Sequence, residues 1–263
     1  MQAIQIVKGA TAPADAQVYT FTTEGQAIGN INGWEMLLDP NYVNVSLKTV
    51  LNRCKFKSSA VSDNSGAAVV VNIGQFANGQ KAFDISDTNQ TRLNPNIPFP
   101  ADNWSVVFVA KPAVKTGTNL NVIITGNSYS NDSALISPKI GFNLASNILY
   151  IAQGGAIQQE GGYRLAYTSP TPLSDETAVY IVTGSSKNGL AIYKNGVKVA
   201  SSTTDSAKKA LNNQIGAGEW HVLRGARGLF GYVGLLSIDL NDDVNKGFRD
   251  QINQFLMSKY GVV

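Results

Sequence analysis

Gly189-Leu-Ala-Ile-Tyr-Lys-Asn-Gly-Val-Lys-Val-Ala200 is the stretch whose reading decides the fold. Residues 190–193 and 197–200 read as two strands joined by Asn195-Gly196. A two-residue turn of this kind needs positive φ at both central positions, which Asn and Gly adopt at little cost, so it is a strong hairpin signal. Downstream, Leu229-Phe-Gly-Tyr-Val-Gly-Leu-Leu-Ser-Ile-Asp-Leu240 reads as a further strand. Gly225, Gly228, Gly231 and Gly234 weaken strand propensity there and predict a bulge, a sharp curve or close packing. Val244, Phe248, Ile252, Phe255 and Leu256 then recur at helical spacing. Asn241 or Asp242 caps this helix, and Asp242 and Asp243 suit the positive end of its dipole. Gly261 supplies the left-handed residue that stops it. Gly247 costs the helix about 1 kcal/mol, which burial of the apolar stripe against a sheet face or edge outweighs.

Outward from this hairpin the pattern repeats. Strand candidates fall at residues 67–73, 81–85, 104–110, 121–125, 140–144, 148–152, 163–167 and 178–183, with turns at Asn78-Gly79 and Asn188-Gly189. Strands this dense predict a sandwich or barrel. No helical pattern alternates with them, which argues against a parallel α/β sheet. Upstream, Trp34, Met36, Leu37 and Leu38 form an apolar cluster that stops at Asp39-Pro40. Leu47, Val50, Leu51 and Cys54 lie at i, i+3, i+4 and i+7 behind Ser46 as N-cap, so a short helix is expected over 46–54. Residues 1–33 are rich in Ala, Thr, Gln and Gly, and Val18–Phe21 alternates like a strand. Two readings stand for them, an arm that docks on a partner and an added edge strand. Residues 34–263 form the main domain.

Composition narrows the function. Apolar residues make up 43% of the 263, enough for a substantial core. Charged residues make up 15%, below the roughly 25% of an average domain, so polarity comes from Asn, Ser, Thr and Gln. The net charge of +3 is scattered, without the basic footprint that nucleic-acid binding needs. Cys54 stands alone and forms no internal disulfide. Met1–Lys8 lacks a basic region followed by an apolar one, so no export signal is read and synthesis in the cytoplasm is expected. No apolar run approaches the ~20 residues of a membrane span, and membrane insertion is not expected.

The order of Trp104-Ser-Val-Val-Phe-Val-Ala-Lys111, Ala191-Ile-Tyr-Lys-Asn-Gly-Val-Lys-Val199, Gly231-Tyr-Val-Gly-Leu-Leu-Ser-Ile238 and a terminal helix ending Lys259-Tyr-Gly261 resembles a known family. The chain is similar over about residues 34–263 to concanavalin A-like, laminin G-like jelly rolls, in particular those of bacteriophage structural proteins. Asn78-Gly-Gln-Lys-Ala-Phe-Asp84 matches the strand that precedes the family's first core strand. The resemblance implies an all-β, two-sheet antiparallel jelly-roll sandwich with roles in glycan binding, adhesion or assembly. It implies a virion surface protein that decorates the head or forms an appended knob, with other capsid or tail proteins as partners and host-surface glycans as ligands. A tail or fibre receptor-binding protein and a free lectin are the alternatives, and a homo-oligomer is compatible with each.

Glycosidases of this superfamily carry a Glu-x-Asp-x-Glu or Glu-x-Asp-x-x-Glu strand, whose paired carboxylates supply acid and nucleophile. The five glutamates here, Glu24, Glu35, Glu160, Glu176 and Glu219, include no such pair, so no catalytic residue and no cofactor are expected. His221 is the only histidine and cannot build a multi-histidine metal site. Glu219-Trp220-His221 has two readings: a glycan-contacting loop with Trp220 stacked on a sugar, or a half-buried Trp and a hydrogen-bonded His at the sandwich rim. Asn127-Ser-Tyr-Ser-Asn-Asp-Ser133 is a polar loop of the kind that carries binding sites. Its Asn127, Tyr129 and Asp132 would meet a sugar, Asp132 would help hold a calcium ion, or the loop is simply solvated. Tyr163, after Gly161-Gly162, offers an aromatic platform. The candidate glycan-binding set is therefore Asn127, Tyr129, Asp132, Tyr163, Trp220 and His221.

Overall fold

The computed structural model describes residues 28–54, 57–64, 67–68, 70–86, 92–114, 120–126, 139–153, 163–208 and 215–263. Its strands are β1 (Trp34–Asn44), β2 (Thr49–Asn52), β3 (Ala60–Asn64), β4 (Ala67–Ala68), β5 (Ile73–Gln75), β6 (Lys81–Ile85), β7 (Arg92–Asn94), β8 (Trp104–Pro112) and β9 (Leu120–Gly126). There follow β10 (Lys139–Asn143), β11 (Ile148–Gln153), β12 (Tyr163–Thr168), β13 (Ala178–Ser185), β14 (Gly189–Lys194), β15 (Val197–Ser202), β16 (Trp220–Val222) and β17 (Gly228–Leu236). A 3-10 turn at Asp243–Asn245 leads into the helix α1 (Lys246–Tyr260).

Every pairing among these strands is antiparallel, and together they make one hydrogen-bonded network in two layers. The helix-side layer runs β17-β8-β13-β14-β15, with β6 and the first half of β1 sharing the other edge of β17. The far layer runs β2-β3-β7-β16-β9-β10-β11-β12. Strand β1 crosses between them, since Leu38 pairs with Val233 of β17 and also stands opposite Asn52 of β2. The fold is an all-β sandwich of the jelly-roll kind.

Two cores result, because β8 and β13 bury side chains on both faces. Between the layers, Trp104, Val106, Phe108, Tyr180 and Val182 meet Ile124, Ile140, Phe142, Leu149 and Ile151. On the outer face, Val107, Val109, Val179, Ile181 and Tyr232 meet Ile252, Leu256 and Tyr260 of α1, together with Ile28 and Ile31. Residues 28–33 thus belong to this second core; residues 1–27 of the expected arm lie outside the described residues.

The hairpin and helix signals locate real elements. Asn195 (φ 49°) and Gly196 (φ 81°) form the β14–β15 turn. Asp242 accepts the backbone N–H of Val244 at the start of the 3-10 turn, and Gly261 (φ 63°) ends α1 in the left-handed region. Val244 itself is exposed, so the buried stripe of the helix is Ile252, Leu256 and Tyr260. Gly231 shows why β17 is glycine-spaced: a Cβ there would lie 2.6 Å from the Tyr260 ring. At Gly234 it would lie 2.5 Å from Trp34. The register shift between Phe230 and Val233 supplies the expected bulge.

The helix expected over 46–54 is corrected. Residues 45–48 form a turn whose Asn44 side chain accepts the Leu47 N–H, and Thr49–Asn52 is a strand. Val50 is buried while Leu47 and Leu51 are exposed, which is the period of two of a strand rather than of a helix. Strand β1 likewise continues through Asp39-Pro40, where its register with β2 shifts. Buried Asp39 is held there by Asn41, by Arg53 at 3.5 Å and by Lys259 at 3.8 Å.

Candidate ligand-binding face

The far layer is built around one row of core residues in continuous register. Val222, Ile124, Ile140, Ile151 and Leu165 pair in turn across β16, β9, β10, β11 and β12, and all five are buried between the layers. Side chains alternate along a strand, so the residue beside each of them points to the outer face. Those neighbours are His221, Thr125, Lys139, Ala152 and Arg164. His221 pairs with Thr125, Lys139 with Ala152, and Ala152 with Arg164.

This outer row carries two cations, Lys139 and Arg164, and is graded in exposure. His221 and Thr125 are each 4% exposed, Lys139 is half-buried and Arg164 is exposed. Burial pushes the Lys139 ammonium below its ordinary range. The Arg164 guanidinium lies 4.9 Å from the centre of the Tyr150 ring, a cation–π contact that holds the fork over the sheet. Tyr150 fits closely because its partner on β10 is Gly141, where a Cβ would come within 3.1 Å of the tyrosine hydroxyl. Lys139 and Arg164 stand two strands apart, roughly 10 Å at the backbone, with the small Ala152 between them. Arginine offers a planar fork that matches a carboxylate or sulfate, and lysine offers a compact charge. The face suits an anionic ligand laid across β10–β12.

The residues expected from the sequence are placed differently. Asn127, Tyr129 and Asp132 lie outside the described residues, as does the Tyr163 side chain, whose backbone begins β12 opposite Gln153. Trp220 is fully buried. Its Nε1 donates to the Ile97 carbonyl at 2.6 Å, and Phe99 meets it edge-on at 5.2 Å. The ring has no face open to a sugar, so the stacking role expected of it is corrected to a core role. The adjacent Glu219 accepts the Gly216 N–H at 2.7 Å and closes the turn before β16. Of the expected set, His221 alone has a described side chain on the candidate face. Lys139 and Arg164 were missed; their signal was a cation beside a buried Ile or Leu in a strand, legible only once pairing is known.

No metal-holding group of three His, Cys, Asp or Glu occurs among the described residues. The cavity lined by Ile28, Trp34, Val107, Tyr232, Ile252 and Leu256 measures about 10 Å³, room for at most one water, so this cavity admits nothing larger.

No family model and no curated protein matches the chain. Solved structures do. The binding domain of botulinum neurotoxin serotype G aligns at 13% identity and TM-score 0.53, over 85% of this chain and 51% of that one. The serotype D ligand-binding domain, solved with N-acetylneuraminic acid, aligns at 14% identity and TM-score 0.54, over 86% and 53%. The receptor-binding domain of the C/D mosaic serotype aligns at 16% identity and TM-score 0.55, over 84% and 52%. The chain therefore spans about half of each neighbour. At these identities the likeness is one of fold, and it identifies the β-sandwich class.

Proposed function

We propose that the protein is a non-enzymatic, glycan-binding β-sandwich that takes acidic sugars on the outer face of its far layer. The observation that carries this reading is the pair of cations Lys139 and Arg164, set in register on either side of Ala152. The neighbouring folds support the class, since they are binding domains and one holds N-acetylneuraminic acid, a carboxylate sugar. The non-enzymatic reading is supported by the three described glutamates. Glu35 is engaged by Lys57 and Ser237, Glu176 by Lys194 and Thr171, and Glu219 by a turn.

We further infer a setting on the surface of a bacteriophage particle, as a head-decoration or appended knob protein made in the host cytoplasm. The support is the sequence resemblance carried by Trp104–Lys111, Ala191–Val199 and Gly231–Ile238. The site reading is tested with a glycan panel that includes sialylated and sulfated oligosaccharides. Acidic members are expected to bind wild type and to bind Arg164→Ala at least several-fold more weakly. A flat panel overturns glycan binding, and release of reducing ends overturns the non-enzymatic reading. Immunogold labelling of phage particles tests the setting: label on the head supports decoration, label on the tail moves the protein to receptor binding, and no label leaves a free lectin.

A further inference from the structure

The sequence holds four Asn-Gly pairs, Asn32-Gly33, Asn78-Gly79, Asn188-Gly189 and Asn195-Gly196. An asparagine ahead of glycine is open to attack by the glycine's own backbone nitrogen, because no Cβ hinders the approach. The fold treats the four pairs differently. Asn78 donates to the Lys259 carbonyl at 3.0 Å and accepts the Gln80 N–H at 3.2 Å, while the Gly79 N–H donates to the Phe76 carbonyl at 2.9 Å. Asn188 Nδ2 donates to Asp239 at 2.7 Å and to Asp242 at 3.3 Å. Asn195 Oδ1 accepts the Val179 N–H at 2.9 Å, and the Asn195 N–H donates to the Val179 carbonyl at 2.8 Å. Asn32 is exposed, and among the described residues neither its side chain nor the Gly33 N–H makes a hydrogen bond.

We propose that Asn32 is the site at which the folded chain deamidates and isomerises, and that the product loosens residues 28–31 from the helix-side core. The Gly33 amide nitrogen, after losing its proton to base, attacks Asn32 Cγ. The N–Cγ bond forms, the Cγ–Nδ2 bond breaks, and Nδ2 leaves as ammonia with a proton taken from water. Water then opens the cyclic imide. Addition at Cγ gives aspartate, and addition at the main-chain carbonyl gives isoaspartate; water enters, ammonia leaves and nothing is oxidised. Isoaspartate routes the backbone through Cβ and so lengthens it at this position. The segment is anchored on both sides of the added atom. Beyond it, the Gly33 carbonyl accepts the Ser237 N–H at 2.7 Å. Before it, the Ile28 carbonyl accepts from Trp34 Nε1 at 3.1 Å, and Ile28 and Ile31 are buried in the helix-side core. The site lies in the layer opposite the candidate glycan face and does not rest on that reading.

The test is peptide mapping by mass spectrometry of the full chain aged at mildly alkaline pH, native and in urea. In the native chain the Asn32 peptide is expected to gain about 1 Da, the balance of water in and ammonia out. It should do so several-fold faster than the peptides of Asn78, Asn188 and Asn195. In urea the four pairs are expected to react at similar rates, because the hydrogen bonds that spare three of them are gone. Asn32→Gln should lose the fast gain, since its longer side chain closes a less favourable ring. Equal native rates, or a faster gain at another of the four pairs, overturns the proposal. So does a preference for Asn32 that persists in urea, which would trace it to sequence rather than fold. A fast gain in this peptide that survives Asn32→Gln overturns it in favour of Asn30. The isoaspartate-rich aged fraction is expected to unfold about 2–4 °C below the fresh chain, with Asn32→Asp, which keeps the backbone path, close to the fresh chain. An aged fraction that unfolds with the fresh chain overturns the loosening of residues 28–31. Ageing is followed without any glycan, so this outcome is separate from that of the glycan panel.

Discussion

Strand β13 of the helix-side layer buries all eight of its residues, whereas β12 of the far layer buries Leu165 between the exposed Arg164 and Ala166. The difference lies in what covers the outer face. Over β13 the helix α1 and residues 28–31 complete a second core, so side chains on both faces answer to packing. Along β12 the outward residues answer to no core. The first layer is where substitution costs stability, and the second has freedom to carry a ligand. Residues that look functional in the sequence must be sorted by face before they are assigned a task.

Trp220 is the sharpest case, because it lies in the far layer but points inward. Trp220→Ala empties the space beside Phe99 and leaves the Ile97 carbonyl without its donor. A buried Trp→Ala change costs about 3–5 kcal/mol. Denaturant unfolding should show the midpoint falling accordingly. A loss below about 1 kcal/mol would place the ring outside the core and break the sorting by face.

The next effect belongs to the helix-side layer. Asp39 is 1% exposed and lies near both Arg53 and Lys259, while the Tyr232 hydroxyl accepts from Arg53 at 2.9 Å and from Lys259 at 3.3 Å. The cluster ties β1 and the residue after β2 to the C-terminal end of α1. Asp39→Ala leaves two partly buried cations without their carboxylate. Such a loss costs up to 3–5 kcal/mol in a fully buried pair, and about 2 kcal/mol is expected here because Arg53 and Lys259 retain some solvent. Thermal unfolding checks it, and Asp39→Asn should fall between the two.

A smaller effect is tuned by pH. Burial, and then the Glu35 charge, pushes the Cys54 thiol up to about 12, against about 8.5 in an unfolded chain. The folded state thus keeps its proton after the unfolded state has lost it. The stability concerned is fully present below about pH 8.5 and is lost as pH rises through the folded value. Tyr193 is also pushed up to about 12 by burial, but an unfolded tyrosine titrates only near pH 10. Between about pH 8.5 and 10 the thiol therefore acts ahead of that tyrosine. Urea midpoints of wild type should decline across this window, and those of Cys54→Ser should decline less.

What was legible in the sequence follows the same division. Elements specified by local chemistry could be read directly: the Asn195-Gly196 turn, the glycine-spaced β17, and a helix stopped by Gly261. The segment 46–54 reads as a helix because Leu47, Val50, Leu51 and Cys54 fit a helical stripe, while in β2 the apolar Leu51 is exposed and the polar Asn52 is buried, so the polarity of the residues does not follow the burial alternation. Pro40 and Asp39 looked like a stop, but distant Lys259 and Arg53 hold that carboxylate inside the sheet. The candidate site was less legible still. Lys139 and Arg164 stand 25 positions apart and meet only through the pairings of β10, β11 and β12. Aromatic residues are the conspicuous binding candidates in the sequence, yet the most conspicuous of them, Trp220, belongs to the core.

The smallest effect on stability should accompany the largest on binding. Arg164 is exposed at the outer face of β12, so Arg164→Ala should change stability by no more than about 0.5 kcal/mol. Lys139 is half-buried with its ammonium pushed down by burial, so Lys139→Ala removes a charge that folding disfavours and should leave stability unchanged or slightly raised. A charge-assisted hydrogen bond is worth about 1.5–3 kcal/mol, so each alanine should weaken an acidic oligosaccharide about tenfold or more. Arg164→Lys keeps the charge but loses the fork, and calorimetric titration should place its affinity between wild type and Arg164→Ala. Geometry and charge are thereby separated. If Arg164→Lys binds like wild type, the face attracts anions without orienting them. If Arg164→Ala and Lys139→Ala both bind like wild type, the ligand lies elsewhere on the far layer, and the contrast between the two faces reduces to one of packing alone.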